Sequence, residues 1–269
     1  MITAVDVGGT KTLVAQFGDD GLPVNEVRFL TPHNPAEFIK LLNSHLDEAN
    51  PKTAIAVGVP GIVDEAGVLL RCGNLDWKNL ALKQLLEDRY KIPAYIENDA
   101  KMAALAEINQ LPIVPRLGLY LTVSTGIGGG LIVNGQLHPA FRNNEPGHMQ
   151  LQYEGVWQQW QHFASGSALM HHFGKEVHEF ERQTEWKDVA ERLSRGLFAI
   201  IPTLQPDIIV FGGSVGNYFE HYSDFLLERL QRLAPYIVIP ELFKAHHPNE
   251  AVLYGCYRHA STAIAQQTV

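Results

Sequence analysis

Only two cysteines, Cys72 and Cys256, occur in 269 residues, which excludes a disulfide framework and a four-cysteine zinc site. No run of about 18 apolar residues exists, so the sequence predicts no membrane-spanning helix. The opening Met1-Ile2-Thr3-Ala4-Val5-Asp6 has no basic stretch ahead of an apolar core and goes straight into a strand. That predicts a chain with no secretory leader and a cytoplasmic location. Positive charge is also scarce: 21 Lys+Arg against 29 Asp+Glu give a net charge of −8, with no basic cluster. A nucleic-acid partner, which needs a positive stripe to displace counterions, is therefore not expected. An anionic small substrate stays open, because a few backbone amides can hold a phosphate inside an acidic protein.

What the chain does have is apolar runs of strand length, punctuated by glycine and proline. With 46% hydrophobic and 19% charged residues, its composition is that of an ordinary globular protein of one large domain or two smaller ones. Residues 2–7, 12–17 and 24–30 read as three strands. Pro35 then opens a helix with Phe38, Leu41, Leu42 and Leu46 at helical spacing. Residues 53–59, ended by Pro60-Gly61, look like a buried parallel strand. A helix near 80–89, a strand at 93–97 and a helix from Asp99 follow, an alternation that implies parallel strands with crossover helices. Pro112 and Pro115 make 111–116 the candidate hinge, giving domains 1–115 and 116–251, with a helix near 252–269 packing back on the first. A long helix at 186–204 and a strand at 207–211 running into Gly212-Gly213-Ser214 belong to the second.

Four places carry chemistry. Gly8-Gly9-Thr10-Lys11 joins the first two strands, and Ser124-Thr125-Gly126-Ile127-Gly128-Gly129-Gly130 joins strands at 118–123 and 131–133 in the same way. Each alone reads as an ordinary hairpin turn. As a pair they suggest a duplicated unit with a phosphate-sized glycine loop in each half. Gly212-Gly213, between a strand and a helix, is a further anion or nucleotide site. In Glu97-Asn98-Asp99-Ala100, a buried strand ends in polar residues and turns into an Ala-rich helix. Asp99 there reads either as the helix cap or as a catalytic carboxylate at the carboxyl end of a strand.

Together with Asp6-Val7, Val59-Pro60-Gly61, Asn74-Leu75-Asp76-Trp77 and Glu145-Pro146-Gly147-His148, these motifs resemble, in order and spacing from residue 6 to 214, those of the ROK family. These are sugar kinases and repressors of the actin-like ATPase superfamily. The resemblance implies an α/β protein of two ribonuclease-H/actin-like domains with an interdomain active-site cleft, ATP and Mg2+ as cofactors and a hexose as acceptor. Asp6 would sit at the metal and the transferred phosphate. Gly8, Gly9, Thr10 and Lys11 would bind phosphate with Thr125, Gly126 and Gly128, and Gly212 and Gly213 would border the adenosine. Gly61, Asn74, Asn98, Glu145, His148 and Gln161 would lie at the sugar, with Asp99 as catalytic base. Lys11 reads equally as a solvated turn residue.

Two departures from the family pattern stand out. The cysteine cluster that holds a structural zinc in many members is absent, and Tyr153, Trp157 and Trp160 occupy the stretch 150–163 instead. We expect aromatic packing to order that loop without zinc, leaving His148 as a sugar ligand. The adjacent pairs His171-His172 and His246-His247 are expected at the surface. The second departure is Gln161, which stands where the family has a glutamate before an Ala-Ser-Gly step. It keeps an acceptor oxygen without the charge. The expected activity is phosphorylation of the 6-hydroxyl of glucose or a related hexose. The alternatives are an N-acetylmannosamine or N-acetylglucosamine kinase, a polyphosphate donor, a non-catalytic sugar-binding protein and a sugar-responsive repressor. For the repressor the expected N-terminal helix-turn-helix is missing. A homodimer is the default assembly.

Overall fold

Strands buried on both faces set the architecture. In the computed structural model, which describes residues 1–73, 75–233, 236–247 and 250–267, β1 (Ile2–Val7) and β4 (Ala54–Val59) are buried along nearly their whole length and pair in parallel. β2 (Lys11–Phe17) and β3 (Pro23–Leu30) add an antiparallel meander on one side of β1, and β8 (Ala94–Asn98) pairs in parallel beyond β4. The order is β3-β2-β1-β4-β8. α1 (Pro35–Ala49) starts where Asn34 accepts from the amides of Ala36 and Glu37, with Pro35 in the first turn, and buries Phe38, Leu42 and Leu46 in the core with Val5, Ile55 and Val57. A small sheet of β5 (Ile62–Val63), β6 (Leu69–Arg71) and β7 (Lys78–Leu80) precedes α2 (Leu82–Tyr90), and α3 (Asp99–Asn109) follows β8 directly. Trp77, fully buried, donates its indole N–H to the carbonyl of His33 at 2.7 Å.

The second sheet repeats the first. β9 (Leu117–Val123), β10 (Ile127–Val133) and β11 (Gln136–Leu137) form the meander, joined at its outer turn by Asn134 and Gly135, both at positive φ as a type I′ hairpin requires. The hairpin β12 (Gln150–Tyr153) and β13 (Val156–Gln159) precedes α4 (Gln161–Ala164), α5 (Gly166–Phe173) and α6 (Gln183–Leu204). β14 (Ile208–Gly212), α7 (Gly213–Gly216), α8 (Phe219–Leu230) and β15 (Glu241–Lys244) complete the order β11-β10-β9-β14-β15, with β9, β14 and β15 parallel. Val189, Leu193 and Leu197 of α6 lie in one core with Leu119, Leu121 and Phe211 of the sheet.

The expected turn at 124–130 is shorter than its composition suggests. Only residues 124–126 turn, and Gly128, Gly129 and Gly130 lie within β10. Gly129 admits a 3-10 turn, Pro146–His148: a Cβ on Gly129 would meet the Pro146 ring at 2.9 Å, and one on Gly147 would meet the Ile127 carbonyl oxygen at 2.1 Å.

Contacts divide the chain into two compact units, Met1–Ala106 with Glu250–Val269, and Glu107–Asn249. α9 (Ala251–Gln267) belongs to the first, where it packs on β1 and β4. In the second, the buried carboxylate of Glu107 accepts the amides of His246 and His247 at 2.5 and 2.7 Å. His171, His172 and His246 are exposed as expected, whereas His247 is half-buried because of that anchor. Among the described residues no helix is long and apolar enough to cross a membrane.

Candidate functional site

In the first unit the candidate residues gather at the carboxyl ends of β1, β4 and β8. Asp6 lies one residue before the end of β1, in register with Gly58 of β4. Burial first, and then the neighbouring Asp99 carboxylate, push the Asp6 carboxyl up to about 7 from its ordinary 3.8, against a lowering effect of Arg28. The thiol of Cys256, buried on α9, is raised by burial and then by Asp6. A proton on Asp6 is thus held more tightly in the folded chain than in the unfolded one. Its stabilising contribution is complete below about pH 4 and is lost as pH rises through about 7. In the metal-free protein, melting temperature should therefore fall between about pH 5 and about pH 8, and Asp6→Asn should fall less. Equal slopes in thermal melts of the two proteins would show that Asp6 is not the titrating group.

Asn98 settles which residue caps α3. Its side-chain oxygen accepts the amide of Lys101 at 3.1 Å, three residues on, as an N-cap does, and its amide nitrogen donates to the carbonyl of Gly61 at 2.9 Å. Asp99, for which the sequence left both a cap and a catalytic carboxylate open, sits inside the first turn, where its side chain accepts the Ala100 amide at 2.8 Å. Gly61 holds φ at +116°, where a Cβ would collide with the Arg71 carbonyl oxygen, so the Pro60-Gly61 turn and Asn98 brace each other. Asn74 lies outside the described residues.

The turn at 8–11 is tight: the Gly8 amide donates to the Lys11 carbonyl at 2.9 Å. Gly8 and Gly9 are half-buried, while Thr10 and Lys11 are exposed. The corresponding turn of the second unit has Ser124 donating its amide to the Gly126 carbonyl and accepting the Gly166 amide at 2.6 Å, with the Ser214 hydroxyl 3.4 Å from that of Ser124. Gly213, at φ +77°, brings the start of α7 against the Val123 carbonyl. A cavity of about 300 Å³ opens there, lined by Ser124, Thr125, Gly166, Ser214, Asn217 and Tyr218 among others. Gly212 and Gly213 are not among its lining residues; the chain reaches the cavity one residue later, at Ser214. Asn217 and Tyr218, and the Ser165-Gly166 helix start, escaped the sequence reading, although a serine cap before glycine was a legible signal.

Glu145 is half-buried and His148 exposed, flanking the 3-10 turn that rests on β10. Gln161 opens α4. Its amide nitrogen donates to the Gln159 side-chain oxygen at 2.8 Å, and its own side-chain oxygen would lie 2.8 Å from a Cβ on Gly126. Gln161 and the second glycine turn are therefore close neighbours.

The stretch 150–163 is ordered by packing, but not by all three aromatics named above. Tyr153 stacks on Phe163 at 4.3 Å, with the Arg192 guanidinium 5.2 Å from the Tyr153 ring. Trp160 is fully buried, donates to the Arg192 carbonyl at 3.1 Å and fills the space left by Gly196. Arg192 in turn donates to the Phe163 carbonyl at 2.9 Å and pairs with Asp188. Trp157 is 68% exposed and takes no part, because it sits near the solvent end of the β12–β13 hairpin.

Asp6 and Asp99 suit a hard cation, since paired carboxylates are what Mg2+ prefers. Among the described residues no three His, Cys, Asp or Glu side chains converge on a metal position. A Mg2+ held at Asp6 would thus take its remaining ligands from phosphate and water.

The ROK family model matches residues 2–262. The chain is 39% identical to an N-acetylmannosamine kinase of Escherichia coli over 51% of its own length and 49% of that protein. It is 25% identical to a xylose repressor of Caldicellulosiruptor bescii over 66% of its length and 53% of that protein. It thus spans about half the length of these curated relatives. A ROK hexokinase of Thermus thermophilus superposes with a TM-score of 0.81 at 27% identity, over 98% of this chain and 99% of that one.

Proposed function

We propose, from the premise that this chain belongs to the ROK family, that it transfers the terminal phosphoryl group of ATP to the 6-hydroxyl of a hexose. The observation that carries this reading is Asp99 beside the raised carboxyl of Asp6, with Asn98 rather than Asp99 capping the helix. A sugar hydroxyl is a poor nucleophile, and Asp99 accepts its proton as the bond to phosphorus forms. Bound Mg2+ would neutralise charge developing on the phosphate oxygens. Asp6 would orient that ion, and phosphate oxygens are assigned to the amides of Gly9 and Thr10 in one turn and of Thr125 and Gly126 in the other. The cavity beside Ser124 and Ser214 receives the adenosine, which favours ATP over polyphosphate as donor. Glu145 and His148 are assigned to sugar hydroxyls, and Gln161 to the acceptor's C1–C2 edge. A cytoplasmic site of action is part of the same proposal.

The likeness to an N-acetylmannosamine kinase keeps an N-acetylhexosamine as the second reading. ADP release measured with glucose, mannose, fructose, N-acetylglucosamine and N-acetylmannosamine separates the two. Turnover on a neutral hexose is the expected result. Turnover confined to an N-acetylated sugar would establish the second reading, and none on any sugar by well-folded protein would leave a sugar-binding or regulatory role.

A further inference from the structure

The hairpin at 8–11 is held from outside by a residue that no motif marks. Thr31 follows β3 and is 6% exposed. Its amide donates to the Thr10 carbonyl at 2.9 Å, and its hydroxyl donates to the Gly8 carbonyl at 2.8 Å. The Thr12 and Thr31 hydroxyls are also 2.9 Å apart. A hydroxyl has one proton, and that of Thr31 is spent on Gly8, so Thr12 must be the donor in this pair. The result is a relay from Thr12 to Thr31 to Gly8.

Two carbonyls of the hairpin, those of Gly8 and Thr10, are thereby turned towards Thr31. In a trans peptide the following N–H points the opposite way. The Gly9 amide therefore faces away from Thr31, and among the described residues neither the Gly9 nor the Thr10 amide has a partner within the chain. We propose that Thr31 is a positioning residue for phosphoryl transfer, fixing the peptide between Gly8 and Gly9 so that the free Gly9 amide meets a phosphate oxygen of the donor. This rests on the kinase reading for its substrate, though not for its geometry.

Thr31→Val keeps the shape and the backbone amide but leaves the Gly8 carbonyl and the Thr12 hydroxyl without Thr31. Thr31→Ser keeps the relay. In Thr31→Val the kcat should fall by about 10- to 100-fold, in the range expected for a misplaced reacting group, with the KM for sugar within about twofold and Thr31→Ser within about threefold of wild type. Wild-type kcat in Thr31→Val, or a serine variant as impaired as the valine one, would overturn the proposal. A second measurement needs no turnover: amide hydrogen exchange of the peptide spanning residues 7–13, with and without Mg·ATP. Protection by Mg·ATP in wild type and Thr31→Ser, lost in Thr31→Val, is the expected pattern. Equal protection in all three, or none in wild type, sinks the role of Thr31. A wild type protected by Mg·ATP yet inactive on every sugar sinks the kinase reading alone.

Discussion

Asp99→Asn should lower kcat by about two to four orders of magnitude, the usual worth of a positioned general base, while sugar affinity stays within about threefold. The asparagine is nearly the same size, and its side-chain oxygen can still accept the Ala100 amide as Asp99 does at 2.8 Å. Helix α3 keeps its start in either case, because Asn98 accepts the Lys101 amide. A fall in kcat therefore cannot be ascribed to a frayed helix. On the proposed mechanism, what the variant loses is the capacity to take a proton from the acceptor hydroxyl. Steady-state kinetics with the preferred sugar, with sugar binding followed by titration calorimetry, checks both halves. An unchanged kcat would return Asp99 to a scaffolding role and would leave Asp6 without a catalytic partner.

The second large effect concerns Arg192. Its buried guanidinium pairs with Asp188, donates to the Phe163 carbonyl at 2.9 Å and lies against the Tyr153 ring, which stacks on Phe163. Arg192→Met keeps much of the apolar stem but removes every one of those polar links. Removing one partner of a buried ion pair costs about 3–5 kcal/mol. Asp188 is 28% exposed and recovers some hydration, so the expected loss is near the lower end, about 3 kcal/mol. Urea denaturation reads this as a lower midpoint at unchanged slope. The same substitution should raise the KM for sugar, because Gln161 opens α4 and Phe163 lies within it. Stability within about 0.5 kcal/mol of wild type would mean that ring stacking and Trp160 order the loop without the guanidinium.

The elements were legible because their signals are local. Apolar runs ended by glycine gave the strands of both meanders, and Pro35 marked the start of α1. What could not be read depends on partners far along the chain. Asn98 and Asp99 are both good caps by residue type, and only the contact with Gly61 places one of them at the helix end. Trp157 and Trp160 look alike in sequence, yet Gly196 makes a berth for only one. The glycines at 128–130 signal a turn by composition, but they continue β10, where Gly129 leaves room for the Pro146 ring. Thr31 carries no signature at all, because its importance lies in facing residues 8 and 10.

The return of α9 to the first unit has a consequence for how the chain is made. The face of β1 and β4 that α9 covers is translated long before α9 itself, with the whole of Glu107–Asn249 in between. At about 5–20 residues per second, that delay on the ribosome is on the order of ten seconds. The second unit is continuous in sequence and can close as it emerges, while the first waits with apolar strands exposed. The unit that is read first is thus the one that folds last, and the nascent chain is most open to chaperones, and to aggregation, through its N-terminal sheet.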